Sequence, residues 1–426
     1  LKHHPRRLTP GVVVPRVTKQ SIGGRGAASR EVPRPAVPHH GATGLASLAV
    51  LLGALFGLGG LGSTAFAVVL PSVADALDVS IGDSAWLISV FVLAMAVSTP
   101  VYGRLIDMLG VRAPLLWGVG LMTSGALVAA TAPSFEVMLA ARLAQGAGAG
   151  VGATLGAAVL SSRFEGADRV RGLAIAAGTA AAGGSIGPLL GGLAEMVGTW
   201  RTTTALPSVC LVVLALLWRR VEGTGNGSRF DVAGAVLVSL AAGGVIMLIQ
   251  SPASGPAIAL IGAVLVLLAA PLVLRRSTRG SNVFLPASVL RDRYLVRTCL
   301  VGGVLPAGWF ALLVAVPARL SEHGWSPVIV GFALLPSLVA SLVVPRFAAR
   351  VTARIGAPPT LAVAAALACV ALVTASLGSL VDAVSGSTIA LVAAVAVVSG
   401  AFSLGQPAMF SIIGELTAVD VRGVAT

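Results

Sequence analysis

The side chains that could carry chemistry in this sequence are few, and they do not form the groups that catalysis needs. Four of the five histidines precede residue 41, and the histidines form no metal-binding or nucleophile cluster. Cys210, Cys299 and Cys369 lie inside apolar runs and are interpreted as small core residues rather than as a disulfide framework. We therefore expect no enzyme, no metal site and no cofactor.

Arg142 stands inside an apolar run, about seven residues from its outer end. An arginine at the centre of a membrane costs about 2.5–3.5 kcal/mol on insertion scales unless it meets a wet cavity or a partner. Gln145 follows one helical turn later, so both side chains are predicted to face the protein interior. The alternative is that the Arg142 guanidinium reaches out to the membrane interface.

Charged side chains also collect in the loop after the second apolar run. Asp107 lies between Arg104 and Arg112, in a segment that contains Gly103 and Gly110. The glycines would let two helices approach closely, and the charges could form ion pairs that are remade as parts of the protein move. The simpler interpretation is topological, because arginine in a cytoplasmic loop orients a membrane protein without any further role.

The elements that must position these residues are membrane helices. The chain of 426 residues is 56% apolar and 11% charged, whereas a soluble domain carries about 25% charged residues. One membrane-spanning helix needs about 20 apolar residues. Twelve such runs occur, at about 44–70, 84–103, 114–131, 135–161, 172–196, 202–218, 232–250, 256–274, 294–318, 326–345, 358–378 and 387–413. We therefore predict an all-α membrane protein with about 12 transmembrane helices.

The distribution of arginine predicts how these helices are oriented. With the N-terminus in the cytoplasm, the inner connections carry eighteen arginines and the outer connections carry two, Arg201 and Arg319. This alternation predicts a multi-pass protein of the cytoplasmic membrane. The net charge of +13 could also suggest nucleic-acid binding, but the basic residues are scattered among short loops between apolar runs. No nucleic-acid partner is expected.

The chain also divides into parts. Residues 1–43 are basic and rich in Pro and Gly, which predicts a disordered cytoplasmic tail rather than a signal peptide. Aligning Gly110 with Gly356 sets Arg104 against Arg350, so a second half is predicted to begin at the ninth run. The predicted parts are an N-terminal six-helix bundle at 44–220, an inserted helix pair at 221–280 and an incomplete C-terminal bundle at 281–426.

Two further motifs complete the pattern. The fourth run contains Leu139, Arg142, Gln145, Gly146 and Gly148. The fifth run contains Gly183, Gly187, Pro188, Gly191 and Gly192. Together with the loop at 103–112 and an inserted pair that opens with Phe230 and Asp231, these residues resemble the major facilitator superfamily over about residues 45–426. The resemblance is to its fourteen-span drug:proton antiporters, and it implies two further spans beyond the twelve that we predict here.

The resemblance implies a two-bundle helical transporter, a secondary active exporter of lipophilic small molecules that works by alternating access with protons. The implied partners are a small-molecule substrate, a proton and the lipid bilayer. It implies gating for the loop motif, an antiporter role for the fifth-run motif, and proton or substrate handling for Arg142, with Gln145 and Gly146 in the same motif. Trp309, in the middle of the ninth run, is interpreted either as a cavity wall or as lipid-facing filler.

The sequence departs from the family at the first run. Gly62 and Ala67 stand where the family commonly has an acidic residue and an asparagine. No other carboxylate is obvious within the spans, so proton coupling lacks its usual carrier. Two alternatives stay open, which are an uptake facilitator of the same fold and a non-transporting or truncated membrane sensor or scaffold.

Overall fold

The computed structural model describes residues 42–223, 225, 231–278, 283–285, 287–379 and 384–416, and the regular elements within these ranges are all helical. The α-helices in chain order are α1 (Ala42–Ala76), α2 (Ile81–Ser84), α3 (Trp86–Leu109), α4 (Arg112–Ala130), α5 (Phe135–Arg163), α6 (Gly166–Val197), α7 (Trp200–Ala205), α8 (Cys210–Trp218), α9 (Val232–Ser254), α10 (Pro256–Ser277), α11 (Ala287–Arg291), α12 (Arg293–Glu322), α13 (Pro327–Ala333), α14 (Leu335–Val343), α15 (Pro345–Ile355), α16 (Ala357–Ser379) and α17 (Val384–Leu416). A 3₁₀ turn, Leu206–Val209, joins α7 to α8.

Among the described residues, eleven helical stretches are long and apolar enough to cross a membrane. A twelfth is added if α13, α14 and α15 are counted as one bent span. The predicted all-α fold with about 12 spans is confirmed. The predicted tail at 1–43 lies outside the described residues, except that Ala42 and Thr43 already belong to α1.

The tenth span is bent by 49° between Val343 and Pro345. Proline lacks the amide hydrogen that would continue the helical ladder, and it is tolerated where a new helix begins. The segment after the bend, α15, carries Arg346 and Arg350 on its exposed surface and buries Ala348. Such an amphipathic helix suits the membrane interface, so the span ends at the proline, as the predicted range 326–345 implies.

Helix α6 occupies the centre of the assembly. It packs along α1 within the first half of the chain, and it also contacts α13, α14, α15 and α17 of the second half. The inserted pair, α9 and α10, packs mainly against itself and exposes most of its surface, as expected of lipid-facing helices. The exact boundaries at 220 and 280 stay predictions.

Arginine side chains from several connections meet at one end of the bundle, which we name the basic face. Arg112 donates to the carbonyl oxygen of Val221, and Arg163 donates to those of Arg220 and Glu222. Arg220 in turn donates to the hydroxyl of Ser47 near the start of α1. The connections that the charge pattern assigns to one side of the membrane therefore contact one another.

At the basic face, a buried carboxylate joins the two ends of the inserted pair. Asp231 caps α9 by accepting from the amide of Gly234 at 2.9 Å, and it also accepts from the amide of Phe284 at 3.0 Å. Arg276 donates to it through Nη2 at 2.6 Å and Nε at 2.9 Å. Burial alone would raise the pKa of the Asp231 carboxyl, but the hydrogen bonds outweigh it, so this pKa lies below its ordinary value.

We expect Asp231→Asn to lower the melting temperature of the purified protein by several degrees at neutral pH. A lowered folded-state pKa stabilises the protein fully above the unfolded value of about 4 and loses that contribution as the pH falls through the folded value. The difference between wild type and variant should therefore shrink on acidification, measured by thermal unfolding in detergent at several pH values. Glu222→Gln is the control, because its ion pair with Arg112 is exposed and should matter little.

Candidate functional site

Arg142 is fully buried in α5 and connects three helices of the first half. Its Nε donates to the carbonyl oxygen of Leu87 on α3 at 3.2 Å. Its Nη1 donates to the carbonyl oxygen of Gly62 on α1 at 3.1 Å and to Oε1 of Gln145 at 2.7 Å. The interpretation that Arg142 reaches the membrane interface is wrong, since the side chain has no exposed surface. It faces the interior, as its position in the span predicted.

Two aromatic rings complete the surroundings of this charge. The guanidinium carbon lies 4.2 Å from the ring centre of Phe66 and 4.4 Å from that of Phe91. A desolvated cation–π contact contributes about 2 kcal/mol, and each hydrogen bond from a charged group about 1.5–3 kcal/mol. Desolvation of an ion costs several kcal/mol. The contacts therefore match the desolvation cost, although no carboxylate among the described residues pairs with Arg142.

Gly62 meets Arg142 through its backbone rather than through a side chain. A β-carbon at this position would lie 2.9 Å from Cγ of Pro207 and 3.3 Å from Nε2 of Gln145. The site is thus built around the missing side chain, and Arg142 meets the backbone carbonyl oxygen of residue 62 at the position where the acidic residue was expected from the resemblance. Gln145 Nε2 and Arg142 Nη2 are buried without a hydrogen-bond partner among the described residues.

Gly146 follows Gln145 and serves close packing between α5 and α3. A β-carbon on Gly146 would lie 2.9 Å from the Cα of Phe91. Because Phe91 also covers the Arg142 guanidinium, the glycine sets the distance at which this ring meets the charge. Gly146 therefore acts through the helix crossing, as small residues do in membrane bundles.

The motif on α6 packs against α1 along its whole length. A β-carbon on Gly183 would lie 2.8 Å from the Cα of Gly57, and one on Gly191 would lie 2.8 Å from the carbonyl oxygen of Ala65. Gly187 faces Thr64, and Gly192 is buried on the same helix. This regular series brings the two helices into backbone contact.

Pro188 leaves the carbonyl oxygen of Gly184, four residues earlier, without its helical donor. The hydroxyl of Thr64 donates to that oxygen at 2.9 Å, and it also lies 3.1 Å from the carbonyl oxygen of Gly60. A side chain of α1 therefore satisfies the break that proline makes in α6. Such a break can bend without exposing an unpaired backbone group to lipid.

Trp309 is fully buried on α12 and touches the first half of the chain. Its ring stacks on Phe402 at 4.5 Å between centroids, and its edge approaches Gly184 and Gly60 so closely that a β-carbon would lie 2.5 Å and 3.3 Å away. The lipid-facing interpretation of Trp309 is wrong. In this conformation the indole is a contact between the two halves, and its Nε1 has no hydrogen-bond partner among the described residues.

The loop motif has a different geometry from the one its charges suggested. The expected ion pairs between Asp107 and the two arginines are absent from the described residues, and Arg112 instead pairs with Glu222 at 3.2 Å. Asp107 Oδ2 and Arg104 Nε are buried without a hydrogen-bond partner among the described residues. The turn at Gly110, with φ of 79°, sends Arg112 outwards.

Two glycines of this loop motif occupy crowded positions. Gly103 is buried within α3. Gly110 has left-handed backbone geometry, which a β-carbon disfavours. Its α-carbon also packs against the backbone of residues 223 and 225, so a side chain there would collide with them. The motif therefore fixes the connection between α3 and α4 against the segment that follows α8.

Several important residues carried little signal in the sequence. Thr64 could have been found, because Pro188 predicts a free carbonyl at Gly184 and a membrane helix needs a nearby donor. Phe66 and Phe91 carried no signal, since aromatic residues are common in apolar spans and only the helix crossings bring these two to Arg142. The site joins Arg142, Gln145 and Gly146, but it lies apart from the loop motif.

We expect Arg142→Ala to destabilise the protein by about 3 kcal/mol or more, because two buried carbonyl groups lose their donor and a cavity remains. Arg142→Met, which fills the volume without a charge, should keep most of the stability. Thermal unfolding in detergent would measure both. Arg201→Ala is the control, because Arg201 also donates to two carbonyl oxygens and covers a tryptophan, but at an exposed end of the bundle. Equal losses from Arg142→Ala and Arg201→Ala would contradict this account.

Comparison with known proteins places these observations in a family. The chain is 29% identical over 300 residues to the multidrug resistance protein Stp of Mycobacterium tuberculosis, covering 68% of this chain and 56% of that protein. It is 29% identical over 292 residues to the methylenomycin A resistance protein of Streptomyces coelicolor, covering 66% of this chain and 61% of that protein. The chain thus spans less than two thirds of the length of these curated relatives.

A solved structure shares the fold. The human organic anion transporter MFSD10 superimposes with a TM-score of 0.59 at 17% identity, covering 90% of this chain and 88% of that one. The family model described as Major Facilitator Superfamily matches residues 51–426. Because this match covers most of the sequence, the chain belongs to the Major Facilitator Superfamily, a family of membrane transporters and not of enzymes.

Proposed function

We propose that this protein exports lipophilic, drug-like small molecules across the cytoplasmic membrane by alternating access, in exchange for protons. The observation that carries the proposal is the position of α6 between the halves. One side of the helix is in backbone contact with α1 through Gly183 and Gly191, and another side meets Trp309 of the second half at Gly184. Pro188 allows this helix to bend near Gly184, whose carbonyl oxygen accepts a hydrogen bond from the hydroxyl of Thr64.

The names of the relatives support export and the substrate class. Both are resistance proteins, one named for multidrug resistance and the other for methylenomycin A resistance. The apolar contacts of Trp309 with Phe402 and Phe310 suit a lipophilic molecule when the halves separate. The arginine distribution supports a cytoplasmic N-terminus, which makes the basic face the cytoplasmic face.

Contacts at both ends of α6 support alternating access. Towards the basic face, Gly178 lies against Pro345, and Arg169 donates to the carbonyl oxygens of Phe410 and Ser411. Towards the opposite end, Leu189 lies against Gly331. A cavity of only about 20 Å³ lies between α1, α5, α6 and α17. A drug-sized substrate therefore needs one of these two sets of contacts to open.

The unpaired buried groups are consistent with more than one conformation. Arg142 Nη2, Gln145 Nε2 and Trp309 Nε1 lack partners among the described residues, and native proteins rarely leave such groups unpaired without a functional reason. Rearrangement of the halves would bring new acceptors to them. We propose that Arg142 keeps α1, α3 and α5 together as one body, while Gln145 and Trp309 respond to substrate.

Proton coupling is the finer part of the proposal. Asp107 and Glu195 are carboxylates at opposite ends of the helical region, and Glu195 accepts a short hydrogen bond of 2.5 Å from Ser72. One charge crossing about 100 mV supplies about 2.3 kcal/mol, enough for roughly a fifty-fold gradient of substrate. We propose Asp107 as the proton-binding group, because its Oδ2 is buried and has no hydrogen-bond partner in the part of the chain that the structure describes.

We expect Arg169→Ala to weaken closure of the basic face, since it removes the hydrogen bonds to the carbonyl oxygens of Phe410 and Ser411 on α17. A cysteine introduced at the buried position Ala177, with the native cysteines replaced, should then react several times faster with a membrane-impermeant maleimide.

Arg163→Ala is the matched control for Arg169→Ala. Arg163 also donates to two backbone carbonyls at the basic face, but both belong to the same half of the chain. Its loss should leave the labelling rate at position 177 unchanged. An equal increase in both variants would indicate general loosening and contradict a contact that joins the halves.

The proposed function predicts dye accumulation in inside-out membrane vesicles that contain the full chain and have an acidic lumen. Accumulation should stop when a protonophore dissipates the gradient, and Asp107→Asn should abolish the response to pH while it preserves exchange of dye. Arg142→Met should be folded but transport little, and empty-vector vesicles give the background.

The other possible outcomes of this vesicle assay distinguish between the alternative functions. Equilibration of the dye without accumulation would indicate an uptake facilitator, and no movement in folded wild-type protein would favour a non-transporting role. Accumulation that ignores the pH gradient would reject proton coupling and keep export.

A further inference from the structure

A crevice of about 590 Å³ opens on the flank of the bundle next to the basic face. It lies between α1, α6 and the bend that separates α14 from α15. Three arginines line it, namely Arg171 on α6 and Arg346 and Arg350 on α15. The crevice does not include Arg142, Trp309 or the motif glycines of α6. Of the contacts used in the proposed transport mechanism, it shares only that between Gly178 and Pro345.

The three arginines lack acidic partners. Arg346 donates to the carbonyl oxygen of Leu342 in the preceding turn, and none of the three forms an ion pair with a described residue. Arg112 and Arg276, at the same end of the molecule, are both paired with carboxylates. The crevice therefore concentrates uncompensated positive charge, and guanidinium groups bind phosphate through paired hydrogen bonds.

The bend at Pro345 creates this geometry. Arg346 and Arg350 lie one helical turn apart, so both project from the same side of α15. Arg171 faces them from α6, because Gly178 allows Pro345 to pack directly against that helix. An anion in the crevice would thus contact both halves of the chain.

Apart from the hydroxyl groups of Thr179 and Ser341, the remaining walls of the crevice are apolar, and two of the apolar side chains are exposed. Val50 on α1 is 43% exposed and Leu342 on α14 is 50% exposed, although both lie in membrane-spanning segments. Such residues face hydrocarbon chains. The combination of arginines at the rim and apolar residues facing lipid matches a molecule with an anionic head and a hydrocarbon tail, rather than a soluble anion.

We propose that this crevice binds the phosphate headgroup of an anionic phospholipid from the adjacent leaflet, which is the cytoplasmic leaflet if the proposed orientation holds. Basic pockets between helices at that interface suit such headgroups. Because the lipid would contact α6 and α15 together, it stabilises the conformation in which the halves meet at the basic face.

The test is a titration of the purified full chain in neutral detergent with phosphatidylglycerol, followed by native mass spectrometry and thermal unfolding. We expect saturable binding and a rise in melting temperature with phosphatidylglycerol, and neither with phosphatidylcholine. Arg346→Gln combined with Arg350→Gln should weaken binding about 25-fold, since each basic residue near an anionic surface contributes about five-fold. Arg346→Lys with Arg350→Lys should restore only the part of the affinity that depends on charge, because lysine lacks the paired donors of a guanidinium.

Arg219→Gln combined with Arg275→Gln is the matched control. It removes the same charge from exposed positions at the same end of the molecule, outside the crevice. An equal loss of affinity in this control, or equal binding of phosphatidylcholine, would overturn the proposal. Saturable stabilisation by glycerol 3-phosphate at similar concentrations would also overturn it, by identifying a soluble-anion site. Lipid binding is measured without transport, so a failure of the export assay leaves this result unaffected.

Discussion

A helix that crosses hydrocarbon must satisfy its polar groups within the protein, because lipid offers no hydrogen bonds. Two sets of contacts follow from this constraint. Thr64 donates to the carbonyl that Pro188 leaves free on α6. Arg142 donates to backbone carbonyls of α1 and α3. The missing side chain at Gly62 belongs to the same arrangement, since it leaves that carbonyl accessible to Arg142. At both positions a polar group within the membrane needs a hydrogen-bond partner inside the protein. These groups are the guanidinium of Arg142 and the carbonyl that Pro188 leaves free.

Close packing of small residues brings the helices near enough for these hydrogen bonds to form. In lipid there is no hydrophobic force between helices, so association depends on van der Waals contact and on short polar contacts between backbones. The glycines of α6 bring it near enough to α1 for the Thr64 hydroxyl to reach the carbonyl of Gly184. The same helix also admits the Trp309 ring of the other half. Helix α6 thus packs closely against α1 in its own half and against Trp309 in the other half.

Arginine side chains have different partners inside the bundle and at its basic face. Inside, Arg142 is surrounded by carbonyls and aromatic rings and has no acidic partner among the described residues. At the basic face, Arg276 and Arg112 bind carboxylates, while the crevice arginines Arg346 and Arg350 form no ion pair with a described residue. The unpaired ones border lipid. This difference separates residues that hold the fold together from residues available to a ligand.

The spans, their number and the clustering of arginine at one end could be predicted from the sequence, and so could the inward direction of Arg142. These features depend on runs of about 20 apolar residues and on the charge of the loops, because each segment meets the bilayer by its own composition. The partners of the buried groups could not be predicted. That Arg142 meets Gly62 and two phenylalanines, that Arg112 pairs with Glu222 rather than Asp107, and that Trp309 faces Gly184 were decided by the tertiary structure alone. Each of these contacts joins residues far apart in the chain, and its geometry depends on how closely the helices approach.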